Sequence, residues 1–590
     1  MTSDNGGRTV GIRYEADEKP PPALAFGLGL QLAVLTVGGI VLTPAIVVRA
    51  AGGSEDFLTW AVFAAVAISG ATTVLQAVRL GRIGAGYVLA MGTSGAFIAI
   101  CVAAIAKGGP AMLATLVVVS ALFQFALAAR LSLFRRILTP SVAGTVLMLI
   151  PVTVMPIIFD MLKHVPDGSP ALAGPLSALA TVVAIVAIAL KARGALRLWA
   201  PVIGVVGGSV VAGFYGLYDV DRVAEAAWLG LPEGSWPGLD LGFGTVFWAL
   251  LPGFVFVTLV GAIETVGDSV AIQRVSWRRQ RAVDFRAVQG AVAADGMGNL
   301  LSGLAATVPN TTYSTSVSVT ELTGVASRRV GIALGAVFVA VAFLPKALAV
   351  VLAIPGPVAA AYITVLLAML FVLGMKIVVQ DGVDYRKGLI VGVSFWAGVG
   401  FQNGLIYPEF FSGFAGGLLE NGMTAGGLVA ILMTLFMELT EPRRRRIQAS
   451  FEISELPRIR EFLAGFAARS GWDGAMTHRL DAAAEETLLT LLRRDEERED
   501  SVRRRLLLTA HREGGGAVLE FIAAPGEDNL QDRIALLGER AEDAPAEREV
   551  SLRLLRHVAS SVHHQQYHDT DVVTVRVDAP GGAAARETGG

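Results

Sequence analysis

Apolar runs long enough to cross a bilayer recur from Ala23 to about Thr440, and only short polar loops part them. A spanning helix takes about 20 mostly apolar residues. Backbone at membrane depth has no water to bond, so it must satisfy its own polar groups, and helices do that within one segment. The pattern therefore predicts an all-α polytopic membrane protein over this stretch. Charged residues are 17% of the chain, against about 25% in an average soluble domain. The deficit lies in the apolar region, whereas residues from about Arg443 onward are rich in Arg, Glu and Asp. The expected organisation is a disordered cytoplasmic leader (1–22), a membrane domain (23–440), a basic juxtamembrane linker (441–448), a small cytoplasmic α/β domain (449–578) and a flexible tail (579–590). The leader lacks the basic and short apolar regions of a cleaved signal peptide. The single cysteine, Cys101, excludes an intrachain disulfide and a cysteine-based zinc site.

Candidate spans begin near Ala23, Phe57, Tyr87, Pro110, Leu138, Ala171, Trp199, Phe247, Val288, Val308, Val330, Ala349, Gly388 and Phe411. That is about fourteen by the span-length rule. Arg and Lys gather on the cytoplasmic side of short loops. Here the clusters at Arg79 and Arg82, Arg130 to Arg136, Lys191 to Arg197, Arg274 to Arg286, Arg328 and Arg329, Lys376 to Lys387, and Arg443 to Arg446 each follow an even-numbered span. Both termini are expected inside, in a cell inner membrane. A miscount by two would leave the pattern intact, so twelve spans stay open.

Ionisable groups at mid-membrane are costly and default to functional roles. In LVGAIETVGDSVAIQRVS, Glu264 and Asp268 are four residues apart and share one helix face. Two carboxylates this close do not both ionise easily, so the pair is a candidate proton carrier. The bland alternative is a buried structural pair. In VPNTTYSTSVSVTELTG a dense polar stretch, including Asn310, Tyr313, Thr315 and Ser316, opens the tenth span. Gly92-Thr93-Ser94-Gly95 is its milder counterpart in the third. Irregular backbone at membrane depth is tolerated only inside protein or beside a water-filled cavity. Interrupted segments at matching places in two halves mark an inverted repeat with substrate bound between them.

Five stretches carry a resemblance to a known family: LGLQLAVLTVGGIVLTPAIV with Gln31, MGTSGAF, PSVAGTVLMLIPV, ETVGDSVAIQRVS, and ADGMGNLLSGLAATVPNTTYSTSVSVTELTGVASR. From about Ala23 to Leu439 the chain resembles the nucleobase–cation symporters of the nucleobase–ascorbate (uracil/xanthine permease) family. The resemblance implies fourteen helices in a seven-plus-seven inverted repeat, a core domain (spans 1–4 and 8–11) moving against a gate domain (spans 5–7 and 12–14), and a homodimer. It implies that Glu264 hydrogen-bonds the base, with Gln31, Thr93, Thr315 and Ser316 as substrate-binding residues and Asn310 and Tyr313 in support. Asp268 stands where uracil-type members have His and many xanthine-type members have Asp, which leans towards purines. Thr315 and Ser316 depart from the usual Glu or Gln followed by Asn, which opens the substrate question. A Thr hydroxyl offers one rotating donor where a planar amide or carboxylate offers a bidentate edge.

The resulting expectation is proton-coupled uptake of a nucleobase, with Glu264 and Asp268 coupling, no cofactor and no metal. Sodium stays possible, because carboxylates and hydroxyls also suit a cation. The expected partners are the substrate, the bilayer and a second copy, and no nucleic acid. A second class is an anion transporter of the sulfate type, similar in fold and often bearing a soluble C-terminal domain. An anion site wants helix N-termini with Arg or Lys, whereas acids occupy span 8. Nothing supports an enzyme in the membrane part: there is no Walker A sequence and no HExxH.

The tail reads as two amphipathic helices (LPRIREFLAGFAARSG, MTHRLDAAAEETLLTLLRR), a hairpin (VRRRLLLTAHREGGGAVLEFIAAP), then a helix followed by a strand. This order resembles the ATP-binding domain of anti-sigma-factor-type kinases (the GHKL class). In that class a helical Glu is followed four residues on by Asn for magnesium, and a later loop reads adenine. Here Glu486 is followed by Thr490, and APGEDNLQD lacks the loop pattern, so a domain without ATP hydrolysis is expected. His557, His563, His564 and His568 are read as packed or solvated surface rather than as a metal site.

Overall fold

The computed structural model describes residues 11–134, 139–163, 165–166, 168–232, 234–279, 281–380, 382, 384–410, 419, 421–440, 445–492, 505–513, 515–523, 530–531 and 553–579. The chain divides into two units. One is Met1–Arg279 with Ala287–Phe436, and the other is Gln280–Arg286 with Met437–Gly590.

The first unit is helical. Its elements are α1 (Pro22–Ala50), α2 (Glu55–Val78), β1 (Ala90–Thr93), α3 (Ile98–Ala129), α4 (Leu131–Phe134), α5 (Pro140–Met161), α6 (Ala173–Lys191), α7 (Ala195–Leu198), α8 (Ala200–Phe214), α9 (Val220–Glu225), α10 (Thr245–Arg274), α11 (Phe285–Leu304), β2 (Asn310–Tyr313), α12 (Thr315–Thr323), α13 (Arg328–Ala342), α14 (Pro345–Leu352), α15 (Gly356–Val379), α16 (Tyr385–Gln402) and α17 (Gly422–Thr440). Among the described residues eight helices are long and apolar enough to cross a membrane, or nine if α13 and α14, bent by 87°, form one span. The protein is thus a multi-pass membrane protein.

Fourteen spans were expected, and several of the expected segments are shorter, broken or more polar than a simple apolar span. α3 breaks at Gly109, whose φ of 78° no helix has, and resumes at Pro110, which suits a first helical turn. α8 is short. α11 carries Gln289, Asp295 and Asn299, all buried, so polar groups dilute its apolar run. The third and tenth segments are each a four-residue strand followed by a helix. The expected start near Ala349 falls inside α14, and α15 begins at Gly356. The expected start near Phe411 lies outside the described residues, and its helix begins at Gly422.

Helix pairs pack through small residues. A Cβ on Gly70 of α2 would lie 2.7 Å from the Gly335 carbonyl of α13, and one on Gly144 of α5 would lie 2.6 Å from the Gly374 carbonyl of α15. Without a hydrophobic driving force between helices in lipid, such close backbone approach supplies the dispersion that holds them.

The leader is not disordered where it is described. Residues 12–18 run against the turn after α12, where Tyr14 bridges Val325 in parallel. The sequence missed this because its many charges read as solvated. Residues 1–10 lie outside the described residues.

The second unit holds β3 (Arg445–Ser450), α18 (Leu456–Arg469), α19 (Gly474–Leu492), β4 (Arg505–Glu513), β5 (Gly516–Ala523), β6 (Ser561–Gln566) and β7 (Asp571–Asp578). The strands form one antiparallel sheet in the order β3-β4-β5-β7-β6. Alternate residues Leu506, Leu508 and Ala510, Leu519 and Phe521, and Val573, Val575 and Val577 face one side. There they meet Ile459, Leu463 and Phe466 of α18 and Leu480, Ala484 and Leu488 of α19. That is the period of two for strands meeting the amphipathic stripe of helices. The two helices and the hairpin match the expectation.

Two readings are corrected. Residues 445–448, assigned to a basic linker, belong to β3. The segment expected as helix then strand contains two strands, so His563 and His564 lie on β6, and the turn to β7 carries His568. His564 is buried. Its Nδ1 accepts from the Leu530 backbone N–H at 2.9 Å, and its Nε2 lies 3.2 Å from Asp571. The segment APGEDNLQD lies largely outside the described residues.

Gly335→Leu is expected to force α2 and α13 apart. Overpacking of this kind costs about 1–3 kcal/mol, so the detergent-solubilised protein should melt at a lower temperature, while Gly38→Ala, where a Cβ would meet nothing within 4 Å, should leave melting unchanged.

Candidate functional site

The third and tenth segments meet as a two-stranded antiparallel ribbon. Ala90 faces Tyr313, Met91 faces Thr312, Gly92 faces Thr311 and Thr93 faces Asn310. Each strand ends where a helix begins: β1 leads through Gly95–Phe97 into α3, and β2 leads directly into α12. Helix N-termini present unpaired N–H groups and a positive dipole end. Pairing the strands disposes of backbone groups that lipid would leave unsatisfied.

Asp268 of α10 sits at this junction. Its Oδ2 accepts from Thr312 Oγ1 at 2.8 Å and its Oδ1 from Ser314 Oγ at 2.6 Å. Ser314 is the residue just before α12. The carboxylate is therefore buried, doubly hydrogen-bonded and placed at a helix N-terminus, where negative charge is favoured. One turn earlier on α10, Glu264 is half-buried and makes no hydrogen bond among the described residues. The two acids lie on one helix face, but their states differ: Asp268 is occupied by protein donors and Glu264 is open.

The other expected site residues divide in the same way. Thr315, the first residue of α12, is half-buried and its hydroxyl has no partner among the described residues. The same holds for Gln31 on α1. Ser316 is buried, and its Oγ donates to the Tyr313 carbonyl at 2.8 Å and accepts from the Ala90 N–H at 3.3 Å. Its hydroxyl ties β1 to β2. Thr93 is buried too, with its hydroxyl 3.2 Å from the carbonyls of Gly39 and Ile40 of α1. Its own carbonyl accepts from the Tyr313 hydroxyl at 2.8 Å. The Tyr313 ring lies against Gly92, where a Cβ would come within 2.5 Å of Cζ. Asn310 is buried, and its backbone N–H donates to Asn299 Oδ1 at 2.7 Å.

A buried polar network beneath the ribbon was not singled out from the sequence. Asp295 Oδ2 accepts from Gln124 Nε2 at 2.7 Å and from Thr265 Oγ1 at 2.8 Å. Asn299 Nδ2 donates to Gln124 Oε1 at 2.7 Å. Gln124 of α3, Thr265 of α10, and Asp295 and Asn299 of α11 thereby hold β2 in place. The signal was present, since Asp295 and Asn299 are also four residues apart in a span, as Glu264 and Asp268 are. Asp295 Oδ1 and both polar side-chain atoms of Asn310 are buried without a partner among the described residues. Such groups are costly unless met by water or another ligand.

A cavity of about 770 Å3 opens at the other end of α1. Leu42, Ile46 and Arg49 of α1, Pro156 and Asp160 of α5, and Pro357 of α15 help to line it, and Glu55 and Arg222 are paired at 2.8 Å at its edge. It does not reach Glu264 or Thr315. No group of three or more metal-ligating side chains occurs among the described residues.

Residues 24–405 match the model of the Permease family, the xanthine/uracil permeases. The chain belongs to that family. The xanthine permease XanP of Escherichia coli K12 is 27% identical over 447 residues, 72% of this chain and 94% of its own length. The uric acid permease PucK of Bacillus subtilis 168 is 26% identical over 428 residues, 71% of this chain and 97% of its own. Among solved structures, the transmembrane domain of the cyanobacterial bicarbonate transporter BicA aligns at 16% identity and a TM-score of 0.44. That alignment covers 72% of this chain and all of that one. SLC26A9 aligns at 13% identity and 0.48, over 78% and 76%. The permease is a transporter rather than an enzyme.

In the permease, Asn299→Ala would orphan the Asn310 N–H and one edge of Gln124. A buried unsatisfied group costs about 1–3 kcal/mol. The variant should melt lower than the wild type by differential scanning fluorimetry, and Asn299→Asp, which keeps the acceptor, should fall between the two.

Proposed function

We propose that this permease carries a nucleobase across the membrane together with a proton, and that purines such as xanthine are favoured over uracil. The observation that carries the reading is the contrast within one helix face: Asp268 is filled by Thr312 and Ser314, whereas Glu264 has no protein donor among the described residues. An open acid one turn from Asp268, which is bonded to the start of α12, suits a ligand that offers N–H groups. Glu264 accepts those N–H groups, and Thr315 and Gln31 supply the hydroxyl and amide that complete the edge. Thr93 and Ser316 shape the site through the backbone. Thr315 is shorter than the usual amide or carboxylate, so a water bridges it to the base. The names of the relatives, a xanthine permease and a uric acid permease, support a purine.

Coupling follows from charge. Moving a carboxylate across low dielectric costs several kcal/mol in practice, so a proton on the Glu264–Asp268 pair eases reorientation. Sodium is the competing coupling ion. In this reading fourteen spans form a seven-plus-seven inverted repeat, core (spans 1–4 and 8–11) against gate (spans 5–7 and 12–14). Two copies make the working unit in an inner membrane with both termini cytoplasmic. The cavity near Arg49 is then the outer vestibule. The C-terminal unit is a regulatory or dimerising module of degenerate GHKL type: the Thr490 hydroxyl donates to the Glu486 carbonyl at 2.6 Å and is not offered to a cation.

The test is uptake of labelled xanthine into proteoliposomes under an imposed proton gradient, with uracil and urate as competitors. Accumulation should require an acidic donor side and collapse with a protonophore. Glu264→Gln should abolish accumulation; unchanged uptake in that variant removes Glu264 from the site. Accumulation driven by sodium at symmetric pH would replace the proton.

A further inference from the structure

The segment before α1 is bonded to three places that are distant in sequence. The N–H groups of Arg13 and Tyr14 donate to the Gly324 carbonyl at 2.7 and 3.1 Å. The Ala326 N–H donates to the Tyr14 carbonyl at 2.8 Å, and the Arg328 N–H to the Ala16 carbonyl at 3.0 Å. Ser327 Oγ donates to the Glu18 carbonyl at 2.6 Å. Arg328 also pairs with Asp17. Arg278, just past α10, clamps the arrangement. Its guanidinium donates to both Glu18 oxygens at 2.7 and 2.6 Å, and to the carbonyls of Ile12 and Arg13 at 3.0 and 2.8 Å. Its backbone N–H donates to Glu15 Oε1 at 3.0 Å. A forked Arg–carboxylate pair is directional as well as strong, and this one holds the Glu18 carboxyl below its ordinary range.

The point of attachment is the far end of α12. Gly324 ends that helix in the left-handed region with φ +67°, and a Cβ there would lie 2.7 Å from the Gly11 carbonyl. Ala16 is buried with Tyr87, Leu89, Ile272 and Ala287, and Val317 of α12 packs on the same cluster. α12 is about 13 Å long at 1.5 Å per residue, and Thr315 is its first residue. A rigid helix of this length passes a displacement at one end to the other.

We propose that residues 12–18 are a strap that fixes the position of α12, and through it the Thr315 hydroxyl, with Arg278 as the positioning residue that holds the strap. The proposal rests on the purine-site reading for its consequence and on the strap contacts for its geometry. Releasing the strap frees the α12 end to shift, so substrate affinity falls without loss of the fold.

Two readouts on the purified full-length protein test it. The first is the Kd for xanthine in Glu18→Ala, Arg278→Ala and the double variant, with melting temperatures recorded alongside. The second is the rate at which a maleimide labels Thr315→Cys in the same backgrounds; Cys101 is buried and does not compete. Each single variant should weaken binding by about five-fold and alter the labelling rate at near-constant melting temperature. The double variant should do no worse than either single, the non-additivity of one shared contact. Unchanged Kd and labelling, or additive losses that track melting alone, overturn the strap. If the wild type binds no xanthine, the purine reading fails and the labelling rates decide: rates that differ from that of Thr315→Cys with the strap intact uphold the strap, and rates that do not overturn it. Should Arg278→Ala fail to fold, Glu18→Gln, which keeps the shape and removes the charge, carries the same comparison.

Discussion

A peptide group buried in lipid without a partner is among the most expensive things a membrane protein can contain. This chain exposes two runs of them, at Ala90–Thr93 and Asn310–Tyr313, and pairs them with each other. The features around the site depend on that pairing. The register requires a residue without a side chain at Gly92, because the Tyr313 ring occupies its space. It sets the Ser316 hydroxyl to bridge the strands and carries Thr312 and Ser314 to the two oxygens of Asp268. Because the strands are antiparallel, the helices that follow start from opposite ends of the ribbon, α3 beyond Thr93 and α12 beyond Tyr313, and the start of α12 is tied to Asp268 through Ser314.

Hydrogen bonding sorts the acids. Asp268 and Asp295 are both buried and both receive two protein donors, Asp268 from the ribbon and Asp295 from Gln124 and Thr265. Glu264 has a longer side chain and no such donors among the described residues. Carboxylates therefore do different work according to their neighbours: Asp268 organises β2 and α12, Asp295 organises α11 and α3, and Glu264 has no protein donor among the described residues. Thr93 and Ser316 show the same effect among hydroxyls, since backbone carbonyls use the donor each one has.

Much of this was legible in the sequence because it is local. Span positions follow from apolar length, the break at Gly109-Pro110 from residue types that stop and restart a helix, and the interrupted third and tenth segments from polar residues where apolar ones were due. The β4–β5 hairpin and the helices α18 and α19 were readable from their periods. The rest depends on contacts between residues far apart in the chain. Gln124 and Asp295 are separated by 171 positions and Glu18 and Arg278 by 260, and one sequence gives no sign of such complementarity. An acidic leader and a basic loop each read as solvated until they are seen together. β6 was missed for a different reason: SVHHQQ has too few apolar residues to display either period, and its strand state comes from pairing with β7.

The glycine contacts between α2 and α13 and between α5 and α15 have a mechanical meaning. Where backbone touches backbone there is no side chain to re-pack, so neither helix can slide along its neighbour without lifting away from it. Each pair therefore behaves as one stiff beam. Any motion that opens or closes a path through the protein has to occur along seams filled by larger, rotatable side chains, such as the walls that α1, α5 and α15 present to the cavity near Arg49. The positions of a few hydrogen atoms at Gly70, Gly144, Gly335 and Gly374 thus decide which parts of the molecule move together and which can part.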